Sequence, residues 1–461
     1  MIPLTLAAIA KITGASLGTC TGPAAMVGSV VIDSRQAGPG ALFAALPGER
    51  VDGHDFAAAA VEQGAVAVLA SRPVGVPALI TPDVPAALAA LARAVTDALP
   101  GLTIAGITGS VGKTTTKDLA AQLVERLGPT VAPHGSFNNE IGHPLTVLRV
   151  TGETRYLVLE LSARGAGHIA QLCEIAPPRL GVVLCVGHAH TSEFGGLAEV
   201  ARAKGELPAA LPPDGVALLN ADDPLVLAMA ERTAARVVTF GTDPRAMVRA
   251  QDVTLGSDGR ASFTLVTPAG TAAVKLRLLG AHNVVNALAA AALAGELGMG
   301  AEDVAEGLSA ATNRSKWRME VTERPDGVTV INDAYNANPE AMAAALETLA
   351  TVASGRRSFA VLGLMNELGD ESPLWHERAG GLAARAGVAG LIVVGADAAP
   401  MLSGAKAERS WHGELIGVPD ADGAVAALGN LLAPGDVVLV KASRAVGLER
   451  VAFALTGEAA Q

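Results

Sequence analysis

The stretch LTIAGITGSVGKTTTKDLAAQL, Leu102–Leu123, decides how the rest of the chain is read. It opens on a short apolar run that follows a Pro-Gly turn, which predicts a buried strand. It ends on apolar residues at helical spacing. Between them lie Gly109, Ser110, Val111, Gly112, Lys113, Thr114 and Thr115. A glycine-rich turn lets backbone N–H groups wrap a phosphate, and the start of the helix favours an anion. Lys113 is placed to reach β- and γ-phosphates, and the Thr114 hydroxyl can ligate Mg²⁺. The strict G-x-x-x-x-G-K-[ST] spacing is not met, because Ile107 stands at its first glycine between Gly106 and Gly109. A turn that only joins strand to helix is the plainer reading. Gly-Lys-Thr-Thr set directly between strand and helix favours a nucleotide site.

Working outward, AVAVLAS, YLVLELSA, LGVVLCVG, FAVLGLM, GLIVVGA and DVVLVKAS read as further buried strands. Helical stretches such as TTKDLAAQLVERLG and NPEAMAAALETLAT alternate with them. Such alternation implies βαβ units and mainly parallel sheets, hence an α/β protein. The segment 247–280 alternates apolar and polar residues with turn signals, and predicts antiparallel hairpins within the middle domain. With 461 residues the length suggests about three domains. Turn and composition changes place them at 1–98, 99–312 and 313–461. The first is a small α/β domain, the second a P-loop-type ATPase domain with a mainly parallel sheet, and the third a Rossmann-like domain. Hinges are expected near both boundaries.

A net charge of −11 argues against a nucleic-acid binder. Cys20, Cys173 and Cys185 are far apart and form no C-x-x-C pair, so neither a disulfide framework nor a zinc site is indicated. The start lacks a basic leader and no apolar run is long enough to span a bilayer. A cytoplasmic, monomeric protein without membrane insertion is expected.

A metal requires further oxygen ligands. Glu160 ends the strand YLVLE, where such folds set an acidic residue beside Mg²⁺; a solvent-facing glutamate is the alternative. His188 and His190 follow another strand, near the sheet edge where ligands bind in open α/β folds. The guanine-reading N-K-x-D motif of GTPases is missing, since no Asn-Lys pair occurs. Three domains suit an enzyme that holds a nucleotide, a carboxylate and an amine together.

At this point the motifs resemble the Mur ligases, ATP-dependent enzymes that build the peptide stem of peptidoglycan. TGSVGKTTT is similar to their TGxxGKT/S loop, which also lacks the first Walker glycine. LELSARGAGHI resembles the strand that supplies a magnesium-ligating glutamate, here Glu160. AHTSEFGG resembles the segment whose histidine lies by the metal, which favours His190. GAHNVVNALAA matches a nucleotide-side signature with Asn283 and Asn286. KWRMEV carries the family arginine as Arg318, and INDAYNANPEAM the family aspartate as Asp333, with Tyr335 near the adenine. SFNNEIGHPLTVL and VIDSRQAGPGALFAALPGERVDGHDF resemble the branch that adds the last unit of the stem. They imply substrate contacts at Asn138 and Asn139, and Ser34 and Arg35 near the UDP end. VLGLMNELGDES departs from that branch, with Leu364 at a usual aspartate, and VKASRAVGLE has Ala442 where glycine is common.

The resemblance implies a reaction between a UDP-MurNAc-tripeptide carboxylate and the amine of D-alanyl-D-alanine. ATP would first convert the carboxylate to an acyl phosphate. Lys113, Glu160, His190, Lys204 and Arg318 would be the catalytic set, and Thr114, Glu160, His190 and Lys204 would hold two Mg²⁺ ions. Read from its neighbours alone, Lys204 is a solvated helical lysine beside Glu206. The resemblance makes it a carbamate ligand for the second ion, or else an unmodified lysine on phosphate. Trp317, Trp375 and Trp411 are expected to be packing residues.

Overall fold

A computed structural model describes residues 1–18, 22–48, 51–188 and 195–457. Among the described residues the strands group into three main sheets and one two-stranded pair.

The first sheet runs through β1 (Ser16–Leu17), β2 (Ser29–Val31), β3 (Ala41–Ala44), β4 (Ala67–Ala70) and β5 (Ala78–Ile80), in the order β1-β5-β4-β3-β2. Only β1 is antiparallel to its neighbour. Helix α1 (Val84–Asp97) follows, capped by Asp83, whose side chain accepts from the N–H of Ala86. Its apolar face, with Leu88, Leu91 and Val95 fully buried, packs into the same core as Val147, Leu172 and Leu159 of the next unit.

That unit is built on β6 (Thr103–Thr108), α2 (Lys113–Val124), β7 (Thr130–Val131), α3 (Gly142–Val147), β8 (Tyr156–Glu160), α4 (His168–Ile175) and β9 (Leu180–Val183). Helix α5 (Leu197–Lys204), β10 (Val216–Asn220), β11 (Arg236–Gly241), β12 (Val248–Leu255), β13 (Arg260–Thr267), β14 (Gly270–Leu279) and α6 (Asn283–Glu296) complete it. Among the described residues the sheet has nine strands in the order β14-β13-β12-β11-β10-β9-β6-β8-β7. From β7 to β12 every pair is parallel, and β12, β13 and β14 form the antiparallel hairpins expected over 247–280.

The chain leaves β6 toward β7 and β8 on one side, then returns to β9 on the other. The crevice beyond the carboxyl end of β6 is therefore the switch point of the sheet, where ligands bind in such folds. β6 is buried over its last five residues, so its apolar run is explained by cover on both faces.

The third sheet comprises β15 (Glu320–Glu323), β16 (Thr329–Asn332), β17 (Ser358–Leu362), β18 (Gly390–Val394), β19 (Glu414–Val418) and β20 (Val437–Lys441), in the order β15-β16-β20-β17-β18-β19. Only β15 is antiparallel. Helix α7 (Pro339–Ala353) begins with Asn338 as its cap and Pro339 at its first turn. Among the described residues no helix is long and apolar enough to cross a membrane.

Candidate active site

The loop after β6 is stitched to the chain leaving β9. Ser110 N–H donates to Cys185 O at 2.9 Å, and Gly187 N–H donates to Ser110 Oγ at 2.8 Å. Gly112 sits at the helix start with φ +82°, a conformation that favours glycine. A side chain there would also collide with Asn286 Oδ1. No side chain caps α2, so its first N–H groups are left to a ligand.

These N–H groups border a cavity of about 510 Å³ lined by Ser110–Thr115, Glu160, Arg318 and Tyr335. Lys113 is half-buried there, and its Nζ folds back to donate to Gly109 O at 2.7 Å and Ser110 O at 3.4 Å. Burial lowers its pKa, while the Glu160 carboxylate opposes that shift. Glu160 is buried, and its Oε1 accepts from Asn138 Nδ2 at 2.6 Å. Among the described residues its Oε2 is buried without a partner. A bare buried carboxylate oxygen is costly, so it marks a place for a cation. With the Thr114 hydroxyl it makes the sparse, all-oxygen set that Mg²⁺ accepts, the remaining ligands being phosphate and water. Among the described residues no cluster of three acidic, His or Cys side chains competes for a metal.

Arg318 donates from Nη2 to Thr114 Oγ1 at 3.2 Å, and its guanidinium lies 4.3 Å from the centre of the Tyr335 ring. Tyr335 is anchored in turn by a short hydroxyl contact with Ser136. A second cavity, of about 290 Å³, shares Arg318 and Gly112 and is lined by Asn283, Asn286 and Asp333. The asparagines tie the start of α6 to α2. Asn286 donates to Asn283 Oδ1 at 2.8 Å and accepts from Thr116 Oγ1 at 3.3 Å. Asp333 already serves protein donors, Lys441 Nζ at 2.6 Å and Met319 N–H at 3.1 Å.

Lys204 differs from its reading as a solvated residue. It ends α5 fully inside the protein, 5% exposed, and has no hydrogen-bond or ion-pair partner among the described residues. Glu206 does not reach it, because Glu206 accepts from the N–H groups of Gly167 at 2.6 Å and Ala170 at 3.0 Å at the start of α4. Burial first, and then the Lys113 charge, lower the Lys204 pKa to about 7. Glu160 likewise is not the solvent-facing alternative.

The other expected residues scatter. Asn139 Oδ1 accepts from Gly142 N–H at 2.9 Å, shaping the turn into α3, and the residue still lines the 510 Å³ cavity. A groove of about 610 Å³ between α1 and α4 shares Asn139 and His168 with that cavity. Ser34 and Arg35 lie on a short turn outside these cavities, with Arg35 exposed and paired to Asp33 at 2.7 Å. His190 falls outside the described residues. His188 binds Glu340 Oε1 through Nδ1 at 2.7 Å and meets the Trp375 ring at 4.5 Å, tilted by 50°, while that tryptophan packs against the core of the third sheet. Leu364 accepts from Ser443 N–H at 2.9 Å through its backbone oxygen, a contact that does not depend on its side chain.

Sequence reasoning missed Lys441, Asp118 and Glu340. A lysine closing the apolar run VVLVK was a usable signal for the first. Asp118, one turn after Thr114, was a usable signal for the second. Glu340 carried none, because its partner lies 152 positions away.

A nucleotide-loop sheet joined to a second parallel sheet, with a site between, defines an ATP-dependent ligase architecture. The chain belongs to the Mur ligase family. Residues 27–100 match the Mur ligase family catalytic domain, 107–294 the Mur ligase middle domain, and 317–444 the Mur ligase glutamate ligase domain. A relative from Mycobacterium bovis, named UDP-N-acetylmuramoyl-tripeptide–D-alanyl-D-alanine ligase, is 50% identical over 99% of this chain and 98% of its own. The crystal structure of MurF from Acinetobacter baumannii superposes with a TM-score of 0.87, at 31% identity over 99% of both chains. MurF ligase from Thermotoga maritima, solved in complex with ADP, gives a TM-score of 0.79 at 30% identity over 93% of this chain and 97% of that one.

Proposed function

We propose that this chain joins D-alanyl-D-alanine to UDP-N-acetylmuramoyl-tripeptide at the expense of ATP, giving the pentapeptide, ADP and phosphate for peptidoglycan synthesis in the cytoplasm. The observation that carries the reading is the convergence of Lys113, Thr114, Glu160 and Arg318 on one cavity that opens into the groove toward α1. Full-length relatives of that name support the choice of substrates.

The division of labour follows the sheets. Residues 1–98 take the UDP end, 99–312 the nucleotide, and 313–461 the dipeptide and part of the nucleotide. The substrate carboxylate attacks the γ-phosphoryl group, and ADP leaves. The dipeptide amine then attacks the acyl phosphate, and phosphate leaves from the tetrahedral adduct. Mg²⁺, when bound, neutralises charge on the phosphates. Thr114 and Glu160 are the described residues that would hold it. Lys113 turns from its loop carbonyls to the transferring phosphoryl group. Arg318 adds a second positive charge from the opposite wall. The partner-free amine of Lys204, with a pKa of about 7, is nucleophilic enough to take up carbon dioxide. The resulting carbamate would be an anionic oxygen ligand for a second ion.

The test is phosphate release from ATP and Mg²⁺ with UDP-MurNAc-tripeptide, with and without D-alanyl-D-alanine. Release that needs both, together with the pentapeptide mass, is expected. Lys113→Ala should abolish it. Release without the dipeptide, or none with either substrate present, removes the reading.

A further inference from the structure

Residues 312–318 enter β15 along one face of α2, running opposite to the helix. Gln122 holds Thr312 twice, Oε1 accepting from its N–H at 3.1 Å and Nε2 donating to its oxygen at 2.9 Å. Glu125 takes Arg314 through two bonds of 2.5 Å. Asp118 Oδ2 accepts from Ser315 N–H at 3.0 Å, and Thr114 accepts from Arg318. At roughly 100° per residue, positions 114, 118, 122 and 125 fall within an arc of about 80°. One stripe of the helix that begins with Lys113 thus sets the register of the connecting segment.

Asp118 is the buried rung of that ladder. It is 6% exposed and its companion Lys117 is 1% exposed. Lys117 Nζ contacts Asp118 Oδ1 and donates to Pro133 O at 3.0 Å. A buried ion pair is a weak source of stability, which directs attention to what else it does. Beyond Ser315 the backbone is locked around Arg318. Trp317 (φ 57°) and Met319 (φ 50°) both occupy the left-handed region, which non-glycine residues keep only where their surroundings enforce it. Trp317 N–H donates to Glu320 Oε2 at 3.1 Å, and Met319 N–H to Asp333. Among the described residues Arg318 Nε is buried without a partner, so the guanidinium reaches the cavity only partly engaged.

We propose that Asp118 is a positioning residue for Arg318. By fixing Ser315 against α2 it sets the register that presents the guanidinium at Thr114 and at the terminal phosphate of a bound nucleoside triphosphate. This rests on reading the cavity as the nucleotide site.

Calorimetric affinities for ADP and for a non-hydrolysable ATP analogue test it, alongside thermal melting of each variant. Asp118→Ala should lose roughly 10-fold in affinity for the analogue while ADP stays within about twofold. In an Arg318→Ala background the same change should cost nothing further. Ser315→Ala keeps the N–H and should bind like the parent. Equal loss for both nucleotides, an unchanged analogue affinity, or the same loss without Arg318 would overturn the proposal. Should Asp118→Ala melt early, Gln122→Ala decides, since it releases the same segment and leaves the buried pair intact. It must show the same arginine-dependent loss, and its absence overturns the idea. Failure of the parent protein to bind ADP would instead remove the nucleotide reading itself, and the proposal with it.

Discussion

Asn138 donates to Glu160 Oε1 at 2.6 Å, and among the described residues Oε2 of that buried carboxylate has no partner. The amide thereby fixes which lone pairs face the cavity. Partners that orient a metal ligand in this way typically matter 10- to 100-fold. Asn138→Ala is therefore expected to raise the Mg²⁺ concentration for half-maximal activity by at least about 10-fold. A magnesium titration at saturating ATP checks it, and an unchanged midpoint would mean that Asn138 serves only the loop.

Gly112 permits both a left-handed turn and the close approach of Asn286. Gly112→Ala should cost about 1–2 kcal/mol from the backbone alone. The displaced Asn286 should add to that and weaken ADP binding. Chemical denaturation and ADP titration of the same sample separate the two effects.

The buried amine of Lys204 makes a prediction about pH. Its folded pKa of about 7 lies below the unfolded value, so between about pH 7 and 10.5 the unfolded chain binds the extra proton. Unmodified protein should therefore gain stability as pH rises through that window. Lys204→Met should be the more stable at pH 7, by on the order of a few kcal/mol, with the gap closing toward pH 10. In buffer with ¹³C-bicarbonate the parent protein should show a carbamate resonance that Lys204→Met lacks.

His143 is completely buried in α3, and burial pushes its pKa down to about 4, opposed only in part by the backbone of Leu172. The native state stays neutral there while the unfolded chain takes a proton below about pH 6.5. Stability should thus fall as pH drops from about 6.5 to 4, by up to about 3 kcal/mol. His143→Leu should flatten that limb in urea titrations, and an unaltered acid limb would assign it to other groups.

The fold was legible wherever apolar runs were short and fully buried. Thr103–Thr108 and Val437–Lys441 have no polar face to confuse their period, and glycine or serine marks their ends. The nucleotide loop was legible because its chemistry is local. Arg318, Asp333 and Tyr335 came from family resemblance, since nothing in their immediate spacing points across 200 residues to Thr114. Lys204 was misread from its neighbours for a related reason. Helix spacing places a lysine near Glu206 in sequence, while the start of α4 claims that carboxylate in space. His143 offered no signal, because a lone histidine in an apolar helix looks the same whether it is buried or exposed.

The ladder between α2 and residues 312–318 has a practical corollary for anyone recombining these enzymes. Domain chimeras are usually cut at the joint between domains, on the assumption that joints tolerate changes in length. Here one inserted or deleted residue between Ser315 and Arg318 would break the turn that holds Trp317 left-handed and take the guanidinium away from the Thr114 hydroxyl. Crossovers should leave α2 and this joint together from one parent.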